Sequence, residues 1–312
     1  MSKRAGRFTS RTLWSLVAAA ACLLSAALGG CGKQSEKIVV GSKNFTEQKI
    51  LGHMFADLIE AHTDLTVERR VGLQGTLVCF NALKEGDIHL YPEYTGTGLT
   101  AILEEPVISD PKEAYAHVKS EFEGRWELTW LEPLGFNNTY TLTMRRDQTE
   151  ELGIARISDL RDHADELKAG FDHEFMSRPD GYEPLTKAYG FCFRHEPVEL
   201  DPGLMYRAIA DRRVDVIDGF ATDGRIPAFD LVILEDDQGF FPPYYAAPLV
   251  RQEVLKAHSE VADALNRLAG KIDSAAMAQL NYEVDENHRS PREVALEFLK
   301  KRGLVRAGNS ST

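Results

Sequence analysis

Apolar positions after residue 37 follow two alternating rhythms. Ile38-Val39-Val40 is a short unbroken apolar run, as a strand covered on both faces requires, and Ile50, Leu51, Met54, Leu58 and Ile59 then recur at helical spacing. Thr66 to Val71 predicts the next strand, Leu77 to Leu83 a second helix, and Ile88-His89-Leu90-Tyr91 a third strand ending at Tyr91. Between the first strand and the first helix, Asn44 followed three residues later by Glu47 has the spacing of a capping box. Thr139 to Arg145 sets Tyr140, Leu142 and Met144 against threonines, which is a strand's alternation, and Val214 to Ile217 predicts another strand. Glu260 to Arg302 reads as mostly helical, with Pro291 suited to a helix start. Alternation of this kind implies an α/β architecture, a parallel or mixed sheet covered by helices. About 280 residues are enough for two such lobes, each burying its own core.

The first thirty residues follow neither rhythm. Lys3, Arg4, Arg7 and Arg11 form a basic start, Leu13 to Ala27 an apolar stretch, and Leu28-Gly29-Gly30-Cys31 a small-residue site. That is the form of a secretory signal peptide, too short and too rich in alanine to favour a permanent membrane helix. Its end resembles a bacterial lipoprotein cleavage box, which leaves Cys31 as a lipidated first residue; the other reading is an ordinary cleaved signal with an incidental cysteine. Without residues 1–30, whose four basic side chains have no acidic counterpart, the formal charge of −12 becomes −16. A chain this acidic has no long-range attraction for nucleic acid or anionic lipid. Cys79 and Cys192 lie among apolar or aromatic neighbours and are both expected to be buried thiols.

Candidate chemistry concentrates in two stretches. Gly41-Ser42-Lys43-Asn44-Phe45-Thr46-Glu47-Gln48 carries Lys43 onto the turn after the first strand. Tyr91-Pro92-Glu93-Tyr94-Thr95-Gly96-Thr97-Gly98 does the same for Tyr94 and Thr97, with Gly96 and Gly98 expected to free the backbone beside them. Ligands of open α/β domains bind beyond the carboxyl ends of the strands, so a cation, a ring and a hydroxyl are expected to face one cleft. No catalytic constellation stands out. There is no Gly-x-Ser-x-Gly elbow and no Walker loop, and Gly96-Thr97-Gly98 lacks the third glycine of a dinucleotide fingerprint. Asp172-His173-Glu174 reads as a solvated charged turn rather than a metal site, and Glu235-Asp236-Asp237 lacks the spacing of a calcium loop. Neither a catalytic residue, a metal nor a cofactor is expected.

The two stretches resemble those of substrate-binding proteins from ABC importers of osmoprotectants, the glycine betaine, choline and proline-betaine class. The likeness continues, in the family's order, through Gly135 to Tyr140, Arg178 to Tyr182, Val214 to Ile226 and Phe241 to Pro248. It implies a two-lobe type II periplasmic-binding-protein fold with the ligand cleft between lobes joined by two crossovers, at Phe136-Asn137-Asn138 and Pro242-Pro243-Tyr244. The expected organisation is a signal peptide over 1–30, a tether over 31–36, a discontinuous lobe I over 37–137 and 246–305, lobe II over 138–245, and a disordered tail over 306–312. The resemblance places an aromatic cage for a quaternary ammonium on Tyr94, Tyr140, Phe220 and Tyr244, and carboxylate recognition on Lys43, Thr97 and Arg178. Phe220 departs from the commoner tyrosine of the family; it keeps a ring face and loses a hydroxyl.

Such a ligand has no N–H to donate and spreads its charge over methyl groups, which suits aromatic faces. Lys43 and Arg178 favour an anionic group on it, which orders betaine-type zwitterions before larger trimethylammonium amino acids such as ergothioneine or carnitine, and choline last. Asp218, Asp223 and Arg225 are read as scaffold, and Tyr91, Tyr182, Tyr189 and Tyr245 as packing residues. The resemblance further implies a monomer that hands its ligand to an ABC permease with its ATPase, held by its lipid on the outer face of the cytoplasmic membrane or in the periplasm. A secreted α/β hydrolase is the competing class, and a sensor lobe signalling to a membrane partner is a third.

Overall fold

The computed structural model of the protein describes residues 37–306. The expectations for the signal segment, for Cys31 and the tether, and for the polar tail after Arg306 lie outside these residues. Two five-stranded mixed sheets organise the rest. The first contains β1 (Lys37–Gly41), β2 (Thr66–Arg70), β3 (Leu90–Tyr94), β4 (Leu128–Trp130) and a late strand, β10 (Ala246–Arg251), in the order β2-β1-β3-β10-β4. The second contains β5 (Tyr140–Arg145), β6 (Ala169–Asp172), β7 (Val198–Leu200), β8 (Val216–Phe220) and β9 (Leu231–Ile233), in the order β7-β6-β8-β5-β9. Each sheet is parallel at one end and antiparallel at the other: β1 runs parallel to β2 and β3 while β10 opposes β3 and β4, and β6 runs parallel to β7 and β8 while β5 opposes β8 and β9. This is the α/β architecture that the alternation implied, in the two lobes that the resemblance implied.

Between β4 and β5, and again between β9 and β10, the chain passes from one sheet to the other. The two passages run side by side. Asn137 bridges Tyr245, Asn138 N donates to Tyr244 O at 3.0 Å, and Tyr244 N donates to Asn137 Oδ1 at 2.7 Å.

The helices that matter for the cleft are α1 (Thr46–His62), α2 (Thr76–Glu85), α3 (Pro111–Trp126), α4 (His173–Ser177), α5 (Ser274–Asp285) and α6 (Pro291–Lys301). The apolar stripe predicted for α1 is its buried face: Ile50, Leu51, Met54, Leu58 and Ile59 are fully inaccessible. α6 begins at Pro291 behind a Ser290–Glu293 capping box, and the 260–302 region is three successive helices. Among the described residues no helix is long and apolar enough to cross a membrane.

Four local expectations are corrected. The third strand does not stop at Tyr91 but continues to Tyr94, through Pro92. Pro92 lies opposite Pro248 in the antiparallel register with β10, a place where the ladder asks neither residue for an N–H toward the other. Gly96 and Gly98 are not there for backbone freedom, since both lie in helical turns; they are there for space, because a Cβ on Gly96 would lie 2.7 Å from the Tyr244 ring and one on Gly98 2.8 Å from Trp130. The capping box at Asn44 does not form: α1 starts after Phe45 without a side-chain cap, and Glu47 turns inward. Cys79 is buried, its thiol pushed up to about 12 by desolvation, but Cys192 is exposed, and both are free.

Candidate functional site

A cavity of about 720 Å³ opens between the two sheets, a size usual for small-molecule sites. Lys43, Tyr94, Thr97, Tyr140, Arg178, Phe220 and Tyr244 all line it. The sheets bring them there by register. Tyr140 opens β5, Phe220 closes β8, and the two are direct cross-strand partners with ring centroids 5.2 Å apart. Tyr94 closes β3, and Tyr244 lies in the returning passage, its ring edge-on to Tyr140 at 5.7 Å.

An eighth residue belongs to this wall. Phe45, in the turn before α1, stacks on Phe220 at 5.3 Å with the ring planes 6° apart, and on Tyr94 at 6.3 Å. Its place inside the first stretch was the signal available in the sequence; an isolated phenylalanine ahead of an amphipathic helix reads as core, which hid it. Because Phe45 covers one face of Phe220, and the Arg178 guanidinium lies 5.2 Å over the Tyr140 ring, a cation in the cleft meets at most the opposite faces of those two rings.

The tyrosines are held by their hydroxyls. Tyr94 donates to Glu47 Oε1 at 2.7 Å and Tyr244 donates to Asp180 Oδ2. Burial raises the hydroxyls of Tyr94, Tyr140 and Tyr244 well above their ordinary value, so all three stay neutral phenols.

Glu47 accepts from residues of both lobes: Tyr94, Asn138 Nδ2 at 2.9 Å, Thr222 Oγ1 at 2.5 Å and Asn281 Nδ2 at 3.2 Å. Burial pushes its carboxyl above the usual range, against the opposing pull of those four donors. A residue read as a helix cap is thus a buried acceptor tying α1, the first passage, the loop after β8 and α5 together behind the cleft. A second cavity of about 130 Å³, on the far side of the Phe45–Phe220 pair, is lined by Glu47, Thr222, Asp223, Arg225 and Asn281 among others.

Both cations arrive with acid partners. Lys43 Nζ lies 2.6 Å from Glu93 Oε1, with the two side chains 3 % and 0 % exposed, and Tyr91 donates to the other oxygen of Glu93 at 2.8 Å. Arg178 engages Asp180 through Nε and Nη2, both at 2.7 Å, and keeps Nη1 turned to Thr97 Oγ1 at 3.5 Å. Burial opposes the charge on Arg178, but its surroundings, with the Asp180 carboxylate in contact, outweigh it and hold the guanidinium well above its ordinary value. Burial likewise opposes the charge on Asp180, and Arg178 pulls that carboxyl below its usual range. Choline comes last in the expected order because it would bring a further positive charge near Lys43 and Arg178; each of those two cations already lies against a carboxylate, Glu93 and Asp180. What Arg178 leaves unengaged by Asp180 is its Nη1, held at 3.5 Å from the Thr97 hydroxyl.

Asp172 and Glu174 are not the solvated pair expected of them. Asp172 is buried and caps α4 through Glu174 N and Phe175 N, and Glu174 reaches across the cleft mouth to Thr76, so this triplet is no solvated turn. Among the described residues no group of three or more His, Cys, Asp or Glu side chains is placed to hold a metal. Asp218, at the end of β8, accepts from Asp172 N at 2.8 Å, and the Oδ2 atoms of Asp172 and Asp218 have no other protein partner. Burial first, and then the neighbouring Asp172 carboxyl, pushes Asp218 well above the usual carboxylate range; burial raises Asp172 too. Asp223 and Arg225 pair in a fork, at 2.9 Å through Nε and 2.6 Å through Nη2, while the Arg225 N–H donates to Asp223 in an Asx-type turn.

Residues 36–301 match the family model described as the substrate binding domain of ABC-type glycine betaine transport systems. The carnitine transport binding protein OpuCC of Listeria monocytogenes is 40 % identical over 291 residues, covering 92 % of this chain and 94 % of that one. A glycine-betaine-binding protein of Pseudomonas aeruginosa is 37 % identical over 301 residues, 93 % of this chain and 96 % of that one. Among solved structures, a glycine betaine/carnitine/choline ABC transporter protein superposes with a TM-score of 0.72 at 36 % identity, over 86 % of this chain and 99 % of that one.

Proposed function

Because the chain belongs to the substrate-binding family of ABC-type glycine betaine importers, we propose that its cleft captures a zwitterionic trimethylammonium compound, with glycine betaine the first choice. The observation that carries this reading is the ring wall of Tyr94, Phe45, Phe220, Tyr140 and Tyr244 standing beside the Nη1 edge of Arg178, the edge that Asp180 leaves to Thr97. The rings receive the cation, each face contributing about 0.5–2 kcal/mol where water is excluded. Arg178 Nη1 and the Thr97 hydroxyl receive the carboxylate, and Asp180 holds the guanidinium in place for it. Lys43 keeps two of its three donors beyond the Glu93 contact and lies 5.4 Å from the Tyr94 ring centroid, at the edge of the same space.

Members of this family act outside the cytoplasm. The permease and ATPase that take the ligand, and the lipid on Cys31 that keeps the protein at the membrane, complete the proposal. Carnitine and ergothioneine are the second reading, since the cavity of about 720 Å³ exceeds what glycine betaine fills. Choline discrimination rests on Arg178 and Thr97 alone.

Calorimetric titration of the chain from Gly32 onward with glycine betaine, proline betaine, carnitine, ergothioneine and choline tests this. One-to-one binding of a zwitterion, weakened by more than ~1 kcal/mol in Tyr94→Ala and in Tyr140→Ala, is the expected result. Tight choline binding without any zwitterion would overturn the role given to Arg178.

A further inference from the structure

α2 starts in an unusual way for an exposed helix end. Its N-cap position is Gly75, which supplies no side-chain bond, and its first turn carries no acidic residue. The first amides of a helix have no partner within it, and Ser, Thr, Asp or Asn at that position ordinarily supplies one. Here the partner comes from 98 residues away: Thr76 N donates to Glu174 Oε1 at 2.5 Å, and Thr76 Oγ1 donates to Oε2 at 3.2 Å. α2 lies against the first sheet, and α4, which carries Glu174, follows β6 of the second. The cap of a helix in one lobe is therefore supplied by the other lobe. Gly75 makes room for it, because a Cβ there would lie 1.9 Å from Glu174 Oε1. Gly75, Leu77, Val78 and Glu174 all line the cleft, so the contact spans its opening.

We propose that Glu174 is a positioning residue for ligand retention: its carboxylate, seated on the α2 N-terminus, holds the two lobes together across the cleft mouth, so that a ligand lying beneath the contact is released slowly. A charge-assisted bond at a helix N-terminus favours the closed form without touching the ligand. This rests on the binding-protein reading above.

The test compares wild type with Glu174→Ala, Glu174→Gln and Gly75→Ala by three readouts: inter-lobe fluorescence energy transfer, amide exchange at Thr76, and stopped-flow dissociation of glycine betaine. Glu174→Ala and Gly75→Ala are expected to lengthen the mean inter-lobe distance, to speed Thr76 exchange, and to release ligand about five- to tenfold faster. Glu174→Gln, which keeps an acceptor oxygen, is expected to recover part of each effect. Distances and Thr76 exchange unchanged from wild type in both Glu174→Ala and Gly75→Ala would overturn the proposal. Should wild type bind none of the five compounds, the functional reading fails, while the distance and exchange comparison on ligand-free protein still decides the role of Glu174.

Discussion

At the scale of single residues, burial decides what a charge can do. Lys43 and Glu93 form an ion pair out of contact with water, and removing one partner of such a pair leaves an uncompensated charge in a poor solvent. Lys43→Met is therefore expected to lower unfolding stability by about 3 kcal/mol, and Lys43→Met with Glu93→Gln to regain part of that loss, measured by urea titration. A loss below 0.5 kcal/mol in the single variant would show that the pair is not held in the interior as described. The Asp172–Asp218 pair yields a pH dependence. Asp218 is raised well above its unfolded value of about 3.9. The native state thus holds a proton that the unfolded chain has released, and stability is fully present below about pH 4 and is lost as pH rises through the folded value. Asp218→Asn replaces that proton with a permanent N–H donor toward Asp172. The melting temperature of the variant is expected to match wild type near pH 4 and to exceed it at pH 8; equal melting temperatures at both pH values would contradict a raised Asp218 carboxyl.

At the scale of elements, most of the secondary structure was legible because its signals are local. The helical spacing in α1, the alternation in β5 and the proline at the start of α6 each act within a few residues of themselves. The errors came where a distant partner decides. The strand runs on through Pro92 to Tyr94 because β10, which lies about 150 residues on, sets Pro248 opposite Pro92 and Ala246 opposite Tyr94. Glu47 leaves its cap because Tyr94, Asn138, Thr222 and Asn281 together offer it more than one backbone N–H would. The seven residues placed in the cleft by resemblance all line it, whereas Phe45 and Glu174 were missed because stacking and trans-capping leave no periodic trace. The passage between lobes has its own sensitive point. Gly135 adopts φ +120°, and a Cβ there would lie 2.8 Å from the Ile272 carbonyl oxygen. Gly135→Ala is expected to cost about 2 kcal/mol or more, read as a lower midpoint in thermal unfolding; an unchanged midpoint would mean that the passage relaxes freely.

At the scale of the whole molecule, the two sheets are alike in plan, and the cleft lies where both present strand ends to the same space. Contacts from one lobe to the other ring this cleft: Phe45 on Phe220, Thr100 to Asp180 at 2.5 Å, Glu47 to Thr222, and Thr76 to Glu174. Aromatic faces attract a cation more strongly where water is excluded from the site. On the proposed function, the cleft recognises the positive charge of its ligand and not merely its shape. Competition calorimetry of glycine betaine against 3,3-dimethylbutanoate, which replaces the quaternary nitrogen with carbon and keeps the size and the carboxylate, measures this directly. Glycine betaine is expected to bind at least about tenfold more tightly, with the gap shrinking in Tyr94→Ala and Tyr140→Ala. Equal affinity for the two compounds in the wild-type protein would contradict the account.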